Sequence, residues 1–217
     1  QGWPYNWFTR SNIGGHLGGE LKRAGYDGLV VIGASNTPVR ILIRDDDVSI
    51  LPADELWGQD SIAVIESLEA TEGKGARSLA IGPAGERLSR IATIQTATSS
   101  ACGMGGFGAV MGAKKLKAIT VLGAGQVSIA DRKRLAELTK AVANETRGAR
   151  DGRRGIKALN ERLASEGNGE ARVYSCTESC PSPCGVYYRH MPGCVYKERT
   201  YDGQWACVGT LFQGSKG

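Results

Sequence analysis

At 217 residues, with 41% hydrophobic and 23% charged residues, the chain can bury one or two ordinary cores and is too apolar for wholesale disorder. Its net charge of +5 is modest and partly gathered in RGARDGRRGIK (147–157). No aromatic residue interleaves that run, so it reads as a solvated face and argues against nucleic-acid binding. No apolar run approaches the roughly 18 residues of a membrane-spanning helix.

The chain opens QGWPYNWFTR without a methionine and stops at FQGSKG, so both ends are read as cut from something longer. Glycine is the outlier, with 31 residues, about twice its usual share. The glycines cluster as GG and GxG pairs rather than as a linker, which suggests backbone brought close to a ligand.

TRSNIGGHLGGELKRAGYDG (9–28) predicts a glycine loop running into a short helix that AGYDG terminates. LVVIGAS (29–35) predicts a buried strand. TPVRILIRDDDVSIL (37–51) predicts a hairpin turned by Asp45–Asp47. GQDSIAVIESLEA (58–70) places Ile62, Ile65 and Leu68 at helical spacing behind an N-cap at Asp60 or Ser61. RSLAIG and SRIATIQTA predict two strands around a GPAGE turn (82–86), and KAITVLG (117–123) closes the β-rich part. SIADRKRLAELTKAVANETR (128–147) predicts a helix with Ser128 and Asp131 in capping-box spacing and repeating Leu135, Leu138 and Val142. IKALNERLASEG (156–167) predicts a second helix. The expected organisation is α+β: a β-rich module over 1–126, then an α-helical part with a cysteine loop over 127–217.

SSACGMGGFGAVMGAKKLKAI (99–119) formally matches G-x-G-x-x-G at Gly103, Gly105 and Gly108. A dinucleotide site also needs a long following helix and an acid about 20 residues on, and neither is present. The underlying mechanism survives, because glycines let backbone N–H groups reach phosphates. Tight turns and close packing are the bland alternative, but two such loops in one module favour ligand contact. Lys114, Lys115 and Lys117 read as a solvated face sooner than a phosphate site, and His16 as structural sooner than catalytic.

CTESCPSPCG (176–185) puts Cys176, Cys180 and Cys184 at intervals of four residues. Pro181 and Pro183 forbid the helix that this spacing would otherwise line, so the segment folds as a loop around a point. Converging thiolates bind a soft metal or cluster. A close set of three with an adjacent proline favours a [4Fe–4S] cluster over zinc, and unrelated buried thiols come third. Nothing points to the secreted setting that disulfides require. Cys194 and Cys207 are the local candidates for a fourth ligand; Cys102 is remote.

Three stretches in order, ELKRAGYDG, IGPAGE with GGFGAVMGAKKLKAI, and CPSPCG, resemble the tungsten-containing aldehyde:ferredoxin oxidoreductases. The resemblance covers nearly the whole chain, most weakly over 140–172. It implies a β-rich platform carrying a tungsten (or molybdenum) bis-pterin, a neighbouring [4Fe–4S] cluster and aldehyde oxidation with electrons passed to ferredoxin or an iron–sulfur subunit. By the same resemblance, backbone at Asn12 and Ala101 serves a Mg2+ bridging the pterin phosphates. Gly14, Gly15, Ser100, Gly103 and Gly105 are cofactor neighbours, and Cys176, Cys180 and Cys184 are cluster ligands. A small-molecule substrate, an oligomer and the cytoplasm of an anaerobe are further implications, and the chain alone is expected to be inactive.

Departures bear on substrate. Three residues separate Cys176 from Cys180 where the family has two. Ser100 and Met104 stand where basic residues are usual, which keeps a class II benzoyl-CoA reductase-like subunit as an alternative. A zinc-stabilised, non-catalytic binding module is the alternative of another class.

Overall fold

The computed structural model describes residues 8–97, 100–145, 169–175, 185–193 and 198–205, with single positions 161, 166 and 196. The chain divides into two compact units, Gln1–Ser128 and Ile129–Gly217.

The first unit is built on a six-stranded mixed sheet, its strands lying side by side in the order 47–52, 39–44, 116–122, 77–80, 94–96 and 101–102. β1 (Val39–Arg44) and β2 (Asp47–Pro52) form the predicted hairpin, with Asp45 at φ +50° in its turn. β6 (Leu116–Leu122) lies parallel to β1 and antiparallel to β3 (Arg77–Ala80). β4 (Ile94–Thr96) and β5 (Ala101–Cys102) complete the sheet.

β6 is buried along nearly its whole length because helices cover both faces. Ile119 and Val121 join a cluster with Ala24 beside α1 (Leu17–Arg23) and Met111 of α4 (Phe107–Ala113), while Ala118 joins Val64, Ile65 and Leu68 of α2 (Ser61–Glu72). In α2 the buried residues Ser61, Val64, Ile65, Leu68 and Glu72 follow helical spacing, and Asp60 caps it by accepting from Ile62 N and Ala63 N.

Several expectations are corrected. Residues 29–35 form no strand: Val31 packs on the core, but Val30 and Ile32 are each 86% exposed, since no described strand pairs with this segment. GPAGE is a four-residue helix, α3 (Pro83–Glu86), rather than a simple turn. The lysines do not share one fate. Lys114 Nζ donates to the Gly33 carbonyl at 2.8 Å, Lys115 lies over the Trp57 ring, and Lys117 is wholly buried. Lys117 Nζ meets Glu86 Oε1 at 2.5 Å and the Gln59 carbonyl at 2.8 Å, and Glu86 also accepts from Gly58 N. A solvated face is wrong for Lys117 because its position in β6 has helices on both sides.

The second unit holds α5 (Arg132–Glu145) and a three-stranded antiparallel sheet, β7 (Glu170–Tyr174), β8 (Gly185–Pro192) and β9 (Thr200–Trp205). The α-helical reading of 127–217 therefore missed a sheet, whose strands carry too many charges and turn residues to stand out as apolar runs. Asp131, not Ser128, sits at the start of α5 and accepts from Arg134 N at 2.8 Å. The basic run 147–157 and most of the predicted helix 156–167 lie outside the described residues.

Replacing Glu86 by Ala strands a buried ammonium and the Gly58 N–H. It is expected to cost about 3–5 kcal/mol in chemical denaturation. Glu86→Gln, which keeps an acceptor, should cost less.

Candidate functional site

Two loops meet at one edge of the first unit. The first runs from Phe8 to Gly15 into α1; the second follows β5 from Gly103 to Gly106 and leads into α4. They are fastened together: Met104 N donates to Ser11 Oγ at 3.3 Å, and the Cys102 thiol is hydrogen-bonded to the Ser11 side chain. A pocket of about 400 Å³ opens between them, lined by Phe8, Thr9, Arg10, Ser11, Asn12 and Met104.

The glycines of the second loop divide by what surrounds them. A methyl on Gly103 would meet no described residue within 4 Å, so packing among them does not require glycine there. Gly105 is held at φ +85°, and a methyl on it would fall 3.1 Å from Thr9 Oγ1. Gly106 abuts the Arg90 carbonyl, and a methyl on Gly108 would lie 2.6 Å from the Thr93 carbonyl oxygen. Gly108, third in the G-x-G-x-x-G match, thus serves close packing; with α4 only seven residues long, the dinucleotide reading stays rejected.

Of the sequence-predicted positions, Asn12 lines the pocket, and Gly103 and Gly105 flank its Met104 wall. Ser100 closes the turn between β4 and β5, its carbonyl accepting from Thr96 N at 3.0 Å, and Ala101 pairs with Gln95 in the sheet. Gly14 and Gly15 lie between Asn12 and α1, with Gly15 buried at φ +94°. His16 directly precedes α1, where its carbonyl accepts from Glu20 N, a structural placement.

Sequence reading passed over Phe8, Thr9, Arg10 and Ser11 as pocket residues. Their place just before the Asn12 loop was the available signal. Cys176, Cys180, Cys184, Cys194 and Cys207 lie outside the described residues. The first three fall in the connection between β7 and β8, whose ends are set opposite one another by the Tyr174–Gly185 pairing. Among the described residues no group of three or more His, Cys, Asp or Glu could hold a metal ion, and no helix is long and apolar enough to cross a membrane.

Cys102 is half-buried, and desolvation pushes its thiol pKa up, opposed by the bond to Ser11. The protonated form therefore persists to higher pH than in a free thiol. Alkylation of Cys102, followed by peptide mass spectrometry, should be slow at pH 8. Its rate should still climb above about pH 9, where an ordinary thiol levels off.

Residues 4–123 match the aldehyde ferredoxin oxidoreductase N-terminal domain. Over 144 residues the chain is 44% identical to the tungsten-containing aldehyde ferredoxin oxidoreductase of Thermococcus kodakarensis and 42% identical to that of Pyrococcus furiosus, aligning 64% of this chain with 23% of each relative. It is 38% identical over 133 residues to the aliphatic sulfonate oxidoreductase WOR-like subunit of Pyrococcus furiosus, covering 55% of this chain and 21% of that protein. Among solved structures, the BamBC active-site complex of benzoyl coenzyme A reductase with 1,5-dienoyl-CoA shares the fold at a TM-score of 0.71 and 24% identity, over 91% of this chain and 35% of that one. The chain thus spans about a quarter of the length of the curated relatives it matches. With the family's N-terminal domain matched across more than half of its residues, the chain belongs to the aldehyde ferredoxin oxidoreductase family.

Proposed function

We propose that this chain is the cofactor-facing part of an oxidoreductase that converts aldehydes to carboxylates at a tungsten, or molybdenum, bis-pterin and passes the electrons to ferredoxin through a [4Fe–4S] cluster. The observation that carries the reading is the open face between the two glycine-rich loops. A ligand with phosphate groups needs room, backbone donors and no intruding side chain. Gly103 suits such a cradle, being exposed and with no described residue where a side chain would stand. The residues present therefore fit the group.

In this reading Asn12, Gly14, Gly15, Ser100, Ala101, Gly103 and Gly105 hold the cofactor, with backbone at Asn12 and Ala101 serving a magnesium ion. Cys176, Cys180 and Cys184 supply thiolates to the cluster from the second unit. When bound, the metal–pterin group supplies two-electron redox chemistry and the cluster passes electrons singly. The chain's own contribution is binding and exclusion. Thr9 and Phe107 wedge the Gly105 backbone in place, and Ser11 fixes Met104 N. Phe8 and Met104 give the pocket apolar walls that displace water.

A second reading, the active-site subunit of a class II benzoyl-CoA reductase-like complex, is favoured by one feature. Ser100 and Met104 leave the glycine loop without the basic residues that the aldehyde-oxidising relatives imply.

Elemental analysis of the anaerobically isolated native protein tests the proposal. About four irons and about one tungsten per chain are expected; zinc alone, without iron or tungsten, would sink it and leave a structural cysteine site. Reduction of ferredoxin with an aldehyde, against turnover of an aryl thioester, then separates the two readings. Gly103→Val should lower tungsten content severalfold while leaving thermal unfolding of the cofactor-depleted protein unchanged, because no described residue lies within 4 Å of the added Cβ.

A further inference from the structure

Of the six described residues that line the pocket between the loops, only Arg10 carries charge. Arg10 is exposed, and among the described residues no carboxylate pairs with it and no acceptor takes a hydrogen bond from it. Several other arginines of the first unit are engaged, among them Arg23 with Glu20 at 3.0 Å and Arg44 with Glu72 at 2.6 Å. Nor does surface crowding explain Arg10, since its neighbours Thr9, Ser11 and Asn12 are uncharged. Facing it across the pocket is Met104, a 69% exposed thioether, and Phe8 beside it is 92% exposed. Large apolar side chains left open beside an unpaired guanidinium suit a ligand with an oxyanion at one end and an apolar or aromatic body at the other.

We propose that Arg10 is the anion anchor of this pocket, clamping a phosphate-type oxyanion while Phe8 and Met104 flank the body of the same ligand. The inference deepens the function proposed above and takes its pocket as the ligand site. Guanidinium is the fitting group, because its planar fork meets two oxygens of a phosphate or carboxylate at once. The glycine loop supplies backbone to the same space but no charge, so the cation comes from the facing loop. The oxyanion has two possible sources: the phosphate tail of the pterin cofactor, or an anionic substrate.

The test uses the full-length native protein in three forms: unaltered, Arg10→Met, and Arg10→Met with Met104→Arg. The double variant returns a cation to the same pocket from its opposite wall. Among the described residues no hydrogen bond or ion pair holds Arg10, so cofactor-depleted Arg10→Met should unfold at the unaltered temperature. Cofactor-depleted protein is titrated calorimetrically with inorganic pyrophosphate. Arg10→Met should weaken binding about tenfold, the loss of one charge-assisted contact, and Met104→Arg should restore most of it. Failure of the unaltered protein to bind pyrophosphate, or equal affinity in all three forms, overturns the proposal.

Holoenzyme measurements then identify the source. Tungsten and pterin content that falls in Arg10→Met and recovers in the double variant assigns the oxyanion to the cofactor. Unchanged content, with KM raised about tenfold for an anionic aldehyde and not for a neutral one, assigns it to the substrate. If the unaltered protein proves to contain neither tungsten nor molybdenum, the oxidoreductase reading fails, while the pyrophosphate titration still decides the role of Arg10.

Discussion

Lys117 is fully enclosed in the central strand β6, and an ammonium there is tolerable only because Glu86 Oε1 lies 2.5 Å away and the Gln59 carbonyl accepts a second bond. The pair does more than cancel a charge. Glu86 ends α3 and also receives Gly58 N, so one carboxylate ties β6, the segment before α2 and α3 into a single unit. With α3 fixed, α4 has little choice of position. A methyl on Gly85 would lie 2.8 Å from the Gly108 carbonyl oxygen, and Gly112 abuts the Gly85 carbonyl. The two short helices therefore touch backbone to backbone. That contact sets where α4 begins and so where the loop before it is presented.

The glycines that look alike in sequence consequently do different work. Gly85, Gly108 and Gly112 are small because other backbone occupies the space a side chain would need. Gly105 is left-handed and pressed between Thr9 and Phe107. Gly103 has no described residue where a side chain would stand, so packing does not account for glycine there. The facing loop completes the site with chemistry of its own: Ser11 to hold the glycine loop, Arg10 to supply charge, Phe8 to supply apolar surface. Neither loop makes a pocket alone.

The second unit has a different logic. Its described strands form one antiparallel sheet, and the three closely spaced cysteines belong to the connection between two adjacent strands. A connection whose two ends are paired begins and finishes in one place.

The sequence by itself determined the elements whose signals are local. Asp60 ahead of α2, the acidic turn between β1 and β2, the short helix ended at AGYDG and the existence of α5 all follow from caps, turns and periodicity within a dozen residues. The family resemblance was legible for the same reason, being carried by contiguous runs. Only the tertiary structure decided matters that depend on neighbours distant in sequence. LVVIGAS is as apolar as a buried strand, yet without a described partner strand Val30 and Ile32 remain in solvent. Lys117 reads as a surface lysine until Glu86, 31 residues away, is placed beside it. The pocket itself joins Ser11 to Met104 across 93 residues. Caps and periodicities are short-range interactions that a chain carries with it, whereas burial, charge compensation and the facing of two loops are properties of the space between elements, which exists only once the sheet has formed.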